Sequence, residues 1–177
     1  MLAKASSKNL SGKRIGLRLQ TPEDEAAIEG LMAAAFGEGR HKRSVWNLRA
    51  GAPVANLCFV QSHGDDIVGS LRYWPIMVGG MKGLLLGPLA VSPEFKGKGF
   101  GKALVSHSLE QAEHAGYPFV LVSGEPDYYP QFGFEKASVA EFLWPGFIEP
   151  ERLQIKWLVP DAKPKAPGVK AILPYQS

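Results

Sequence analysis

Residues 89–107, LAVSPEFKGKGFGKALVSH, set Gly97, Gly99 and Gly101 among Lys96, Lys98 and Lys102, between an apolar stretch and an amphipathic one. That combination suits an anion. The first turn of a helix carries unpaired N–H groups and the positive end of the macrodipole, and glycines let a phosphate approach the backbone closely. The spacing excludes two other phosphate sites. A P-loop needs a glycine five residues before its Gly-Lys pair and a hydroxyl after it, where this chain has Lys96 and Ala103. A dinucleotide fingerprint begun at Gly97 or Gly99 would need its third glycine at Lys102 or Leu104. What remains is a basic side chain, two residues and then G-x-G, from Lys96 to Gly101.

Two other groupings carry less. His107, Glu110 and His114 share a helical face, as metal ligands do, but that face lies opposite the apolar stripe and reads as solvated. No metal is expected. The run Gly39-Arg40-His41-Lys42-Arg43 is short and lacks interleaved aromatic residues, which argues against nucleic acid. Between two expected helices, it is placed to attract an acidic substrate.

The glycine loop needs a strand before it and a helix after it, and the pattern supplies both. Residues 84–91 are almost continuously apolar, as in a strand buried on both faces, and Gly87-Pro88 within them predicts a bulge or a local parting from a neighbour. Residues 99–115 repeat apolar positions at helical spacing and stop at Gly116, and FVLVS at residues 119–123 is a further buried strand. Together they form a right-handed βαβ unit. Upstream, RIGLRLQ alternates as a half-buried strand, and Thr21-Pro22-Glu23-Asp24 opens a helix that Gly37 stops. A shorter helix is expected over 42–50. A β-hairpin is expected around His63-Gly64-Asp65-Asp66. Residues 1–12 read as a flexible tail and 13–137 as the core. The proline-rich residues 138–177, with one clear strand at LQIKWLV, read as an extension packed on the same domain.

Composition agrees with one globular domain. The chain of 177 residues is long enough for a single core, and 45% apolar with 21% charged residues argues against disorder. A net charge of +3 suits an anionic ligand but is too small to argue for nucleic acid. The single cysteine, Cys58, excludes an internal disulfide and suggests a reducing compartment. The N-terminus lacks the apolar core of a signal peptide, and no stretch reaches the length of a membrane span. A cytoplasmic protein without membrane association is expected.

The order of strand, V-S-P-E-F, K-G-K-G-F-G and helix, followed by strand and YYPQFGF, resembles the GNAT superfamily of acetyl-CoA-dependent N-acetyltransferases from about Arg14 to Phe134. Lys96 stands where that family usually has arginine or glutamine. The resemblance implies a single-domain α/β fold with a mixed, mostly antiparallel sheet flanked by helices. Two of its strands splay apart to make the acetyl-CoA cleft. It implies that the backbone of Lys96, Gly97, Lys98, Gly99, Phe100, Gly101 and Lys102 binds the coenzyme A pyrophosphate. Leu89, Ala90 and Val91 would offer backbone groups to the pantetheine amides. It also implies that Tyr129, four residues before Gly133, is a general acid for the departing thiolate, whose free pKa is near 8.5. Tyr128 would pack or shape the pocket.

The base is less defined. Residues 84–91 contain no acid, which leaves Glu125 and Asp127 or a water chain; Glu125 is better placed and is the candidate, its plainer reading being a solvated turn acid before Pro126. The function expected is direct acetyl transfer from acetyl-CoA to an amine. An acyl-CoA-binding sensor or interaction module of the same fold is the alternative. The acceptor is open: a small molecule is favoured over a protein-bound or tRNA-bound amine. The oligomeric state is open too, with a homodimer among the options.

Overall fold

The computed structural model describes residues 7–9 and 12–176. Of the segment 1–12 expected as a tail, residues 1–6, 10 and 11 lie outside the described residues, while β1 (Ser7–Asn9) pairs antiparallel with β2 (Lys13–Leu19). The predicted segment forms a 3₁₀ turn, Pro22–Asp24, with Thr21 at its N-cap, and this turn leads into α1 (Glu25–Phe36). The Thr21 N–H donates to the Asp24 carboxylate at 2.8 Å, and Arg18 grips the same carboxylate with bonds of 2.7 and 2.9 Å. The Arg18 hydrogen bond holds the Asp24 carboxyl at about 2, well below its ordinary value. Gly37, at φ +77°, ends the helix.

The helix expected over 42–50 does not form. Two 3₁₀ turns, Glu38–Lys42 and Ser44–Leu48, are separated by Arg43 in an extended conformation (φ −70°, ψ 142°), so no continuous i to i−4 ladder can run through them.

The hairpin forms as expected, from β3 (Phe59–His63) and β4 (Asp66–Val78), and β5 (Met81–Val91) returns antiparallel to β4. After α2 (Phe100–His114), β6 (Phe119–Ser123) lies parallel to β5. The later strands are β7 (Glu135–Lys136), β8 (Phe142–Leu143), β9 (Leu153–Trp157) and β10 (Lys170–Pro174). The sheet order is β1-β2-β3-β4-β5-β6-β9-β7. β10 pairs with the far end of β4, through Ile76, Met77 and Val78. Thus β9 inserts between β6 and β7, and its Leu153 and Ile155 are buried with Phe119 and Leu121 of β6.

Successive residues of a strand face opposite ways. α2 covers one face with Leu104, Val105 and Leu109 against Leu71, Tyr73, Leu84 and Val120. Ser108 of this helix shares a buried hydrogen bond of 2.8 Å with the Tyr73 hydroxyl, so the one polar group in that stripe is satisfied. α1 lays Ile28 and Met32 on Val60 and Ala90. β5 is consequently buried on both sides, as its unbroken apolar run predicts.

Candidate functional site

β5 and β6 are in register only at Leu84 with Val120 and Leu85 with Leu121. Beyond that point they part. On the other side of β5 the pairing with β4 slips between Leu71 and Tyr73, opposite the Gly87-Pro88 step, where Gly87 adopts φ +128°. A proline brings no N–H to a ladder, and a glycine alone accepts that dihedral readily, so the predicted bulge sits where these residues demand it. Leu89, Ala90 and Val91 pair with Leu71, Ser70 and Gly69 of β4, and among the described residues their edge towards β6 has no strand partner. The result is a wedge, closed at Leu85 and open towards Val91.

The glycine loop begins where the wedge is open. The Ser92 N–H bonds the Val68 carbonyl at 2.8 Å, and a 3₁₀ turn, Pro93–Phe95, leads into residues 96–102. Gly97 and Gly99 have φ of +74° and +85°, and a Cβ on either would meet nothing within 4 Å. These glycines are needed for backbone shape and leave the approach open. The first helical bond of α2 runs from the Ala103 N–H to the Gly99 carbonyl at 3.0 Å, so the amides of Phe100, Gly101 and Lys102 precede any intrahelical acceptor. Such a cradle of amides at the positive end of a 15-residue helix fits a pyrophosphate. Lys96, Lys98 and Lys102 are exposed around it, whereas the Phe100 ring is buried beside Phe95, Ile15 and Val68 and leaves only its backbone for a ligand.

Tyr129 follows the end of β6. It opens the 3₁₀ turn Tyr129–Phe132, which closes when the Gly133 N–H bonds the Pro130 carbonyl at 3.0 Å and Gly133 takes φ +90°. The Tyr129 ring is 7% exposed and lies edge-on to Tyr128 and Phe134. It occupies the space left by Gly124: a Cβ there would be 2.1 Å from the ring. Burial raises the Tyr129 phenol well above its ordinary pKa, with the neighbouring Tyr128 adding to the effect. It is a protonated donor at neutral pH. The Tyr128 hydroxyl reaches the glycine loop, 2.9 Å from where a Cβ on Gly101 would stand. Glu125 lines the same cavity with most of its side chain in solvent, paired with Arg152 at 2.8 Å, while Asp127 is exposed and off the cavity wall.

A cavity of about 260 Å³ joins the wedge to the region under α1. Its wall includes Leu89, Val122 and Tyr129 on the wedge side and Phe36, Trp46 and Trp74 opposite. Five arginines (Arg40, Arg43, Arg49, Arg72 and Arg152) and two glutamates (Glu29 and Glu125) complete its charge. The predicted attraction for acidic groups drew on the run Gly39-Arg40-His41-Lys42-Arg43, of which Arg40 and Arg43 reach the wall. Arg49 and Arg152 lie in no motif, and Arg72 had one signal, a charge between the buried Leu71 and Tyr73 of a strand. His107 does not gather ligands; its ring packs edge-on against Phe59 at 4.9 Å. Among the described residues no cluster of three or more His, Cys, Asp or Glu is placed to hold a metal, and no helix is long and apolar enough to cross a membrane.

Residues 20–134 match the acetyltransferase (GNAT) family. The chain is 29% identical over 135 residues to the uncharacterized N-acetyltransferase YhbS of Escherichia coli K12, covering 73% of this chain and 80% of that protein. The 1.55 Å crystal structure of E. coli YhbS in complex with CoA superimposes with a TM-score of 0.75 at 25% identity, covering 93% of both chains. A GNAT family acetyltransferase from Brucella melitensis, solved with acetyl-CoA, shares the fold with a TM-score of 0.66 at 24% identity, over 92% of this chain and 96% of its own.

Proposed function

The chain belongs to the acetyltransferase (GNAT) family, and from that premise we propose that it moves an acetyl group from acetyl-CoA directly to an amine. The observation that carries this reading is the wedge between β5 and β6, which runs from a phosphate-sized amide cradle to a buried, protonated tyrosine. The CoA bound by E. coli YhbS supports it.

Acetyl-CoA supplies an activated thioester. Residues 96–102 hold its pyrophosphate by backbone amides, with the three lysines adding positive charge. Residues 89–91 pair with the pantetheine amides as a neighbouring strand would. As the amine nitrogen bonds the acetyl carbon, the carbon–sulfur bond breaks, and the Tyr129 hydroxyl gives its proton to the leaving sulfur. The Glu125 carboxylate, on the cavity wall, is the base that takes the amine's own proton. No covalent intermediate on the protein is required, since holding thioester and amine together supplies about 7–11 kcal/mol.

Two measurements test the reading. CoA at about a hundred times its Kd adds about 2.7 kcal/mol of stability, a rise in Tm of roughly 5–10 °C for a chain of this size, with NADH and ATP doing much less. An unchanged Tm with millimolar CoA removes the cosubstrate. Release of free CoA from acetyl-CoA across a panel of amines then separates the enzyme from the sensor: binding without turnover of any amine leaves only the sensor.

A further inference from the structure

Arg49 stands apart among the cavity arginines. Of the five cavity arginines, Arg40 pairs with Glu29 at 2.7 Å, Arg72 with Glu25 at 2.7 Å and Arg152 with Glu125 at 2.8 Å. Among the described residues, Arg43 and Arg49 have no carboxylate partner. Arg43 is exposed, where lacking a partner costs little. Arg49 is largely buried, and its buried Nε makes no hydrogen bond. Its guanidinium lies 4.7 Å over the Trp46 ring, and its Nη2 is 3.1 Å from where a Cβ on Gly87 would stand, so its charged end is at the β5 bulge.

We infer, on the acetyltransferase reading above, that the acceptor is an amine carrying a carboxylate, and that Arg49 receives this carboxylate beside the Gly87-Pro88 bulge. A buried cation without an anion is costly, and the like charges of Arg43 and Arg72 make the cost larger. Burial and those two arginines lower the Arg49 pKa to about 10, so the guanidinium is still charged at neutral pH and still needs a counter-charge. Coenzyme phosphates do not supply it. Residues 96–102 are not part of the cavity wall, and the arm that would lie between loop and cavity is uncharged. The anion must therefore arrive on the acceptor.

The planar guanidinium, held 4.7 Å over the Trp46 ring, offers an edge that matches a carboxylate with two parallel hydrogen bonds. Trp74 and Phe36 form an apolar wall for the remainder of the acceptor.

The test compares acetylation of aminocarboxylates, the same compounds as amides, and aminoalkyl phosphates of similar length. Wild-type protein is expected to prefer the carboxylates over the amides by at least about 10-fold in kcat/KM. Arg49→Gln should raise KM for carboxylates about 10- to 100-fold and leave KM for amides and the Kd of CoA unchanged. Exposed Arg43→Gln should show a smaller change in the same direction. Binding is read separately, by tryptophan fluorescence during titration of the CoA-bound protein with each compound, because Arg49 stacks on Trp46. Equal use of amides and acids, preference for the phosphates, or absence of carboxylate binding overturns the inference. So does an Arg49→Gln protein that loses acids and amides alike; if that variant fails to fold, Arg43→Gln and the wild-type ranking decide. Failure of the acetyltransferase reading looks different, since it removes the CoA-dependent rise in Tm and the acetylation of every amine.

Discussion

Tyr129 and Gly124 work as one unit at the scale of single residues. The phenol is held by packing, and the glycine is the space into which it packs. Tyr129→Phe keeps the ring and removes only the proton, so kcat should fall by about 10²–10⁴ while Tm and the Kd for CoA stay near wild type. Wild-type kcat in that variant, with chemistry shown to limit the rate, would take the proton away from Tyr129. Gly124→Ala moves the same ring by overpacking. It should lower stability by about 1–3 kcal/mol and reduce kcat more than CoA affinity, measured by thermal unfolding and steady-state rates. Tyr129 was legible through the family resemblance alone, which sets a tyrosine four residues before the glycine of a G-F pair, here Gly133-Phe134. Arg49 was not legible, because an unpaired buried charge is defined by what fails to surround it, and no local pattern in WNLRAG announces that.

At the scale of elements, the glycine loop separates two reasons for lacking a side chain. Gly97 and Gly99 need the left-handed backbone, while Gly101 needs room for the Tyr128 hydroxyl. Gly99→Val should therefore raise the Kd for CoA at least about 10-fold by reshaping the amide cradle, with a modest loss in Tm. Gly101→Val collides with Tyr128 instead, and Gly101→Val combined with Tyr128→Phe should recover part of the affinity that Gly99→Val does not. Calorimetric titration with CoA checks both. The strand and helix that flank this loop could be read from apolar periodicity, because each buries a face against the sheet. The turns at Glu38–Lys42 and Ser44–Leu48 could not, since their shape depends on one extended residue, Arg43, between them.

For the whole molecule, the strand LQIKWLV could be read from its alternation, but its place beside β6 could not, because pairing over such a sequence distance leaves no local trace. A chain ending at Ala137 would strip β9 from β6 and expose the Phe119 and Leu121 faces that Leu153 and Ile155 cover. We expect it to lose its cooperative unfolding transition, as read by circular dichroism on heating; a chain of that length with a wild-type Tm would make residues 138–177 dispensable to the fold. β4 and β9 are bonded to the outer edges of β5 and β6, so the wedge opens between two strands that are each held from outside. A wedge of fixed flanks is a depth gauge. Any slim chain threaded from the open end at Val91 must halt at the last joined pair, Leu85 with Leu121, and its tip is measured from that stop rather than from the cavity walls. On the acetyl-CoA reading, the depth open to the cosubstrate's tip is set by where β5 and β6 join.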